Sequence, residues 1–288
     1  MDNAQELIQR LNHSGKKLSK SHRRIAECIV THYDKVVFMT ASKLGEYVGV
    51  SESTVVRFAS ALGYSGYPHL QKALQELIRH RLTASQRFEM TSDMDHAQVL
   101  NKVLKADIQN IRSTLDEMDI NAFEDAIEKI IAARNIYVMG VRSSSMLAGF
   151  FCYNLHMIFD NIRLIETTAG SELFQQIMNI GPGDVMVAIS FPRYSKRVIK
   201  AVEFAHNAGA DVVALTDSPE SPIAADASQL LIAQSDMASF VDSLVAPLSI
   251  INAIVVGVSR VKEEEVMNRL RRLEQIWDEY DVYDKNQS

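Results

Sequence analysis

Two short segments of the chain set serines and arginines side by side where a backbone would meet an anion. The first is Gly140-Val-Arg142-Ser143-Ser144-Ser145, which follows the apolar run 136–139 and leads into a helical pattern. The second is Ser190-Phe-Pro-Arg193-Tyr-Ser195-Lys-Arg, which follows the apolar run 185–189 and also precedes a helical pattern. Hydroxyls and backbone N–H groups at a helix N-terminus hold phosphate or carboxylate. Guanidiniums add paired, charge-assisted hydrogen bonds to the same oxyanions. Arg142, Ser143, Ser144, Ser190, Arg193 and Ser195 are therefore the candidate residues for binding a small anionic ligand. Taken singly, either loop reads as well as a helix cap beside a surface arginine. Two such loops on one edge of one sheet favour a ligand.

A third cluster lies earlier in the chain. Thr40-Ala-Ser-Lys-Leu-Gly-Glu-Tyr-Val is followed by Gly49-Val50 and then by Ser51-Glu-Ser53-Thr54-Val-Val-Arg57. Two short helices about a glycine turn present the start of the second helix to a partner, as in a helix-turn-helix lying in the major groove of DNA. Leu44, Val48, Val50, Val55 and Val56 are expected to pack inside it, and Ser51 is a good N-cap. Ser51, Ser53, Thr54 and Arg57 are the candidate DNA contacts, since arginine pairs with guanine while hydroxyls mostly position. Tyr64 and Ser65, just beyond, are placed to meet the DNA backbone, and so are Tyr67 and His69; for all four, packing under the helix is the equal alternative. One such module reads few base pairs, so useful specificity implies a homodimer on a pseudo-palindromic site, or a tetramer built from two dimers.

Residues suited to catalysis do not gather in this way. Glu166, Glu172 and His156 are available as general bases, but their spacing marks no constellation. Cys28 and Cys152 lie far apart, without histidines at metal spacing, and read as buried free thiols of a reducing compartment. No catalytic residue, metal or cofactor is expected.

Charge divides the chain. Residues 1–90 hold 13 Lys+Arg against 8 Asp+Glu, and the remainder hold 17 against 28, so a balance of +5 meets one of −11 within a net charge of −6. A basic start favours phosphate contact, and an acidic body limits indiscriminate attachment to DNA. Residues 1–15 are polar and give no targeting signal. The uncharged run 243–259 is interrupted by Pro247 and falls short of a membrane span. A cytoplasmic protein without membrane contact is expected.

The elements that position these residues follow from periodicity. Ser19 or Ser21 starts a helix carrying Ile25, Ile29 and Val30, and 36–39 is a short apolar turn. Residues 83–96 lack periodicity and read as a linker. Helical patterns at 97–118 and 122–132 precede five short apolar runs, 136–139, 162–165, 185–189, 212–215 and 229–232, most of them separated by helical stretches. Such alternation predicts a parallel sheet covered on both faces. Helical patterns at 240–258 and 262–280 close the chain; Leu270, Leu273, Ile276 and Trp277 give the last an apolar side for its own domain or a second subunit.

The whole chain resembles the RpiR-type bacterial transcription regulators, in which a helix-turn-helix precedes a sugar isomerase (SIS) domain. Gly140, Ser144 and Ala148 match the pattern G-x-G-x-S-x-x-x-A, residues 190–195 fall on S-x-S-G-x-T, and residues 216–224 resemble the segment after the fourth strand. The resemblance implies an all-α helix-turn-helix domain at 1–82, the linker at 83–96, and an α/β SIS domain at 97–288 with a five-stranded parallel sheet flanked by helices. It also implies control of sugar or related catabolic genes through double-stranded operator DNA, with a phosphorylated sugar as effector. Arg142 stands where the family has glycine, and Pro192, Arg193 and Ser195 stand where it has Ser, Gly and Thr. These arginines either fill the phosphate position or prefer a carboxylate. The alternative on this fold is a sugar-phosphate isomerase, against which the attached DNA reader weighs.

Overall fold

The computed structural model describes residues 19–37, 39–78, 88, 94–166, 170–237 and 241–282. They form two compact units divided between Met94 and Asp95. The linker expected at 83–96 lies, up to residue 93 and apart from Phe88, outside the described residues.

The N-terminal unit contains α1 (Lys20–Thr31), α2 (Tyr33–Val36), α3 (Ala41–Val48), α4 (Glu52–Ala61) and α5 (Tyr67–Ile78). Hydroxyls start three of them: Ser19, Thr40 and Ser51 accept from the backbone N–H three residues on, satisfying a donor the helix leaves open. Ile25, Ile29, Leu44, Val48, Val55, Phe58, Leu62 and Leu70 make the core. Val30 and Val56 do not join it; they are 63% and 39% exposed. On a helix, neighbouring residues point about 100° apart, so Val55 and Val56 cannot both face inward, and Phe58 and Ala59 complete the stripe instead. Tyr67 is also buried and donates to Met39 O at 2.8 Å, which makes it a pin of the fold. Burial pushes its phenol pKa up to about 12, so it remains a donor.

The C-terminal unit runs α6 (His96–Glu117), α7 (Ile120–Ala132), β1 (Ile136–Gly140), α8 (Ser143–Leu155), β2 (Ile162–Ile165), α9 (Gly170–Ile177), β3 (Val185–Ile189), α10 (Lys196–Asn207), β4 (Asp211–Thr216), β5 (Gln229–Ile232), α11 (Val245–Val261) and α12 (Glu263–Glu279). The five strands are all parallel, in the order β2-β1-β3-β4-β5. The pleat sends Ile136, Val138, Val185, Val187, Val213 and Leu215 to one face, under α7, α8 and α11. Tyr137, Met139, Met186, Ala188, Val212 and Ala214 go to the other, under α9 and α10. Helix α11 begins at Val245, five residues later than the apolar pattern suggested. Pro247 has no N–H to give and is tolerated only in a first turn. No described helix is by itself long and apolar enough to cross a membrane.

At the N-terminal edge of the sheet a buried carboxylate ties the strand entrances together. Asp184 accepts from Arg134 Nε and Nη2 at 2.9 and 2.7 Å, from Asn135 Nδ2 at 2.9 Å and from Gly181 N at 3.0 Å. Burial alone raises its pKa, but the hydrogen bonds and the Arg134 charge outweigh it, and the carboxyl titrates below its ordinary value. The resulting stabilisation is present above the unfolded value of about 3.9 and is lost as pH falls through the lower folded value. Asp184→Asn is expected to cost about 2 kcal/mol at pH 7, less than a fully buried pair because the Arg134 side chain is 60% exposed. Urea unfolding at pH 7 and pH 3 checks this: the difference between wild type and variant should shrink at the lower pH, and an equal difference at both would count against the pairing.

Candidate functional sites

In the N-terminal unit the turn between α3 and α4 is made by two glycines for different reasons. Gly49 caps α3 with φ +74°, a left-handed conformation that costs other residues energy. Gly45 sits inside α3, where a Cβ would lie 2.8 Å from Val50 O; the turn backbone folds directly onto it. Arg24, from α1, donates to the C-terminal end of α3 at Val48 O. Neither Gly45 nor Arg24 was singled out from the sequence, although a glycine inside a helical pattern signals a close backbone approach.

These contacts fix the start of α4. Ser51 Oγ lies 3.0 Å from Ser53 Oγ and 2.8 Å from Thr54 Oγ1, and accepts from Thr54 N at 3.3 Å. Ser51, Ser53 and Arg57 are exposed and Thr54 is half-buried. Arg57 reaches back along its own helix, Nε to Ser53 O at 3.2 Å and Nη2 to Thr54 Oγ1 at 3.5 Å. The four residues thus form one polar surface of three hydroxyls and a guanidinium at a helix N-terminus. Ser65 is exposed and hydrogen-bonded to His69, while Tyr64 is half-buried against the core.

In the C-terminal unit the strand order reverses direction between β1 and β3. The connection from β1 runs outward through α8 to β2, and that from β3 runs the other way through α10 to β4. Ligands of doubly wound sheets bind at this switch point, beyond the carboxyl ends of the strands. Both serine and arginine loops leave from it, and Gly140 and Ile189, the last strand residues before them, are register partners.

The first loop is tight. A Cβ on Gly140 would lie 2.2 Å from Ser144 O, so the first turn of α8 packs on the strand end itself. Arg142 occupies the N-cap position with φ 61° and ψ −126° and caps nothing. Ser145 turns its N–H and hydroxyl to Arg142 O at 3.1 and 2.6 Å. Among the described residues the N–H groups of Ser143 and Ser144 have no partner, and neither has the Ser144 hydroxyl, 5% exposed. In the second loop the Ser190 hydroxyl, 4% exposed, is likewise unpartnered among the described residues. Buried polar groups in native proteins are nearly always hydrogen-bonded, so each of these calls for a partner. Arg193 is exposed and has φ 64°. Ser195 caps α10 by accepting from Arg197 N at 3.3 Å. Tyr194 donates to the buried Asp217 Oδ1 at 2.8 Å, tying this loop to the end of β4.

The groups considered for catalysis are placed differently. His156 is exposed at the C-terminal end of α8, on the edge of the sheet away from the loops. Glu166 is exposed after β2, its N–H held by Gln176 Oε1 at 3.0 Å, and Glu172 is exposed in the first turn of α9. Cys152 is buried and its thiol pKa is pushed up to about 12 by desolvation; Cys28 is only half-buried.

Comparison with known proteins agrees with this division. Residues 5–80 match the helix-turn-helix domain of the rpiR family, and residues 129–257 match the SIS domain. An uncharacterized HTH-type transcriptional regulator of Caldanaerobacter subterraneus is 26% identical over 89% of this chain and 91% of its own. The sugar isomerase domain of an RpiR transcription factor from Sphaerobacter thermophilus superposes with a TM-score of 0.59 at 28% identity, over 62% of this chain and 99% of that one. The NanR protein of Vibrio vulnificus, solved in complex with ManNAc-6P, shares the fold over 95% of this chain and 98% of its own, with a TM-score of 0.58 and 22% identity. With the rpiR-type helix-turn-helix in front and the SIS domain behind it, the chain belongs to the RpiR family of transcriptional regulators.

Proposed function

We propose that this regulator binds operator DNA as a homodimer, or a pair of dimers, and that a small anionic effector held between the two SIS loops changes its operator affinity. Domains at 1–82 and 97–288 joined by a linker at 83–96 suit that division of labour. On the DNA side, Ser51, Ser53, Thr54 and Arg57 enter the major groove and Tyr64 and Ser65 lie along the phosphates. On the effector side, Arg142, Ser143, Ser144, Ser190, Arg193 and Ser195 enclose the anion. The genes controlled are those of sugar or related catabolism, and the complex of NanR with ManNAc-6P supports a phosphorylated sugar as the type of ligand.

The observation that carries the reading is the first loop. An uncapped helix N-terminus, free N–H groups and a buried free hydroxyl converge at the switch point of the sheet, and an oxyanion is the group that satisfies all of them. Coupling to the rest of the molecule has a route within the unit. Helix α6 is laced to the segment after β5 by Asn110 Nδ2 to Asp236 O at 2.8 Å and by Gln234 N to Thr114 Oγ1 at 2.8 Å. An effector alters operator affinity only in so far as it prefers one arrangement of the protein over another.

Arg142→Gly tests the assignment in two ways. Glycine relieves a positive φ that costs a non-glycine residue on the order of 1–3 kcal/mol, so the variant should be more stable than wild type by about 1 kcal/mol. It should also lose the effector-dependent change in operator affinity measured by fluorescence anisotropy. A variant no more stable and fully responsive would refute the role of Arg142. Arg193→Ala, still able to bind operator but unresponsive, would place the second loop in the same site.

A further inference from the structure

We propose that helix α6 pairs in parallel with α6 of a second copy of this chain, along a seam made by Leu104, Ile108, Ile111 and Leu115. The pairing gives a surface and a direction to the homodimer proposed above, on which it rests. An amphipathic helix of a globular domain turns its apolar stripe to the core, and α6 does the reverse. Its side toward the rest of the unit is polar and hydrogen-bonded. Asp107 Oδ1 accepts from Ser243 Oγ at 2.6 Å, Asn110 Oδ1 from Asp236 N at 3.2 Å, and Glu117 Oε2 from Gln234 Nε2 at 2.9 Å. Asn110 and Thr114, which also bond to this segment, are only 2% and 3% exposed. The four apolar residues of the seam are between 40% and 73% exposed.

A second copy is the occupant that the spacing selects. Steps of four, three and four residues are those of alternating d and a positions in a coiled coil, and the exposed Asn101 extends the row by three. An asparagine at a single a position specifies register and oligomeric state. Charge selects the direction. Lys105 and Arg112 flank the seam on one side and Asp107 flanks it on the other. Parallel helices set Arg112 of each copy against Asp107 of the other, whereas antiparallel helices set Lys105 against Arg112, two like charges. Covering the four residues and Leu100, 60% exposed, on two copies removes on the order of 1,000 Å² from water, about the least that a specific interface buries. Helix α6 follows the proposed linker in the chain, so parallel pairing brings both linkers in at one end, as paired readers of neighbouring half-sites require.

Sedimentation equilibrium and cysteine cross-linking of the full-length protein test the surface and the direction separately. Ile108→Glu puts a charge in the seam and leaves the hydrogen-bonded side of α6 alone. Its association constant should fall about a hundredfold or more, while Gln109→Glu, on the polar side, should assemble as wild type does. Leu104→Cys and Leu115→Cys lie eleven residues apart, about 16 Å along the helix. Under mild oxidation each should form a disulfide with its own counterpart in the second copy, above the background that Cys28 and Cys152 give in the wild type. Assembly unchanged by Ile108→Glu, or no cross-link at either position, overturns the seam and leaves a homodimer through another surface. A cross-link at only one position, or only between the two variants when mixed, overturns the parallel direction. Should circular dichroism show Ile108→Glu unfolded, the cross-links decide alone. A wild-type protein that sediments as a monomer while still binding operator refutes the homodimer itself, and the seam with it.

Discussion

Replacing Gly140 with valine is expected to destabilise the α/β unit by about 3 kcal/mol or more, at the upper end of what overpacking costs, and to abolish the response to effector. A Cβ there would lie 2.2 Å from Ser144 O and 2.7 Å from Ser144 C, both backbone atoms that cannot rotate aside. The strand cannot yield, because Gly140 is paired in register with Ile189 at the centre of a five-stranded sheet. The first turn of α8 must therefore lift away, and it carries Ser143 and Ser144 with it. The φ of Gly140 is not positive, so the penalty is one of space alone and alanine should show part of it. Gly149, in the middle of the same helix, is the matched control. A Cβ there meets nothing within 4 Å, and Gly149→Ala should be neutral or stabilising by up to about 1 kcal/mol. Urea titration followed by circular dichroism compares the three variants. If Gly140→Val unfolded at the same denaturant concentration as Gly149→Ala, the packing of α8 on the strand end would be wrong.

Arg57→Ala should weaken operator binding by roughly thirty-fold or more, since a specific arginine contact is worth about 1–3 kcal/mol and a dimer loses it at both half-sites. The folded domain should be unaffected within about 0.5 kcal/mol. Arg57 is exposed and its hydrogen bonds go only to Ser53 and Thr54 of its own helix, so nothing in the core depends on it. Anisotropy titrations at several salt concentrations separate its two modes of contact. A phosphate contact weakens all operator variants alike and lowers the salt slope by about one per reader, whereas a base contact leaves the variant indifferent to changes at one operator position. An affinity identical to wild type at every salt concentration would reduce Arg57 to a solvated side chain.

The inner strands were legible because they are buried on both faces and so read as nearly unbroken apolar runs, such as Val185–Ile189, whereas the edge strands β2 and β5 admit Arg163 and Gln229. The caps Ser19, Thr40 and Ser51 follow from hydroxyls placed before helical patterns. The inward face of α4 was harder, since Val55 and Val56 are equally apolar and only the partners across the core decide between them. Tyr67 was grouped with the residues near DNA, but its hydroxyl is committed to Met39 O, a carbonyl 28 residues away that no local pattern reveals. At the effector loops the serines were visible as residue types. What they lack was not, because the missing partners of Ser144 and Ser190 are a property of the packed sheet edge. The departure from glycine at 142 and 193 was the one sequence signal of the strain that the backbone carries there.

That strain has an evolutionary meaning. Every molecule bears the cost of the two positive-φ arginines, with or without effector, and mutation to glycine at either place is downhill in folding energy. A lineage that no longer needed these two side chains would drift to glycine at both. On the proposed effector site, the residues at these two places should therefore sort the family by what each member detects, and exchanging them should be a short path by which one regulator acquires the diet of another.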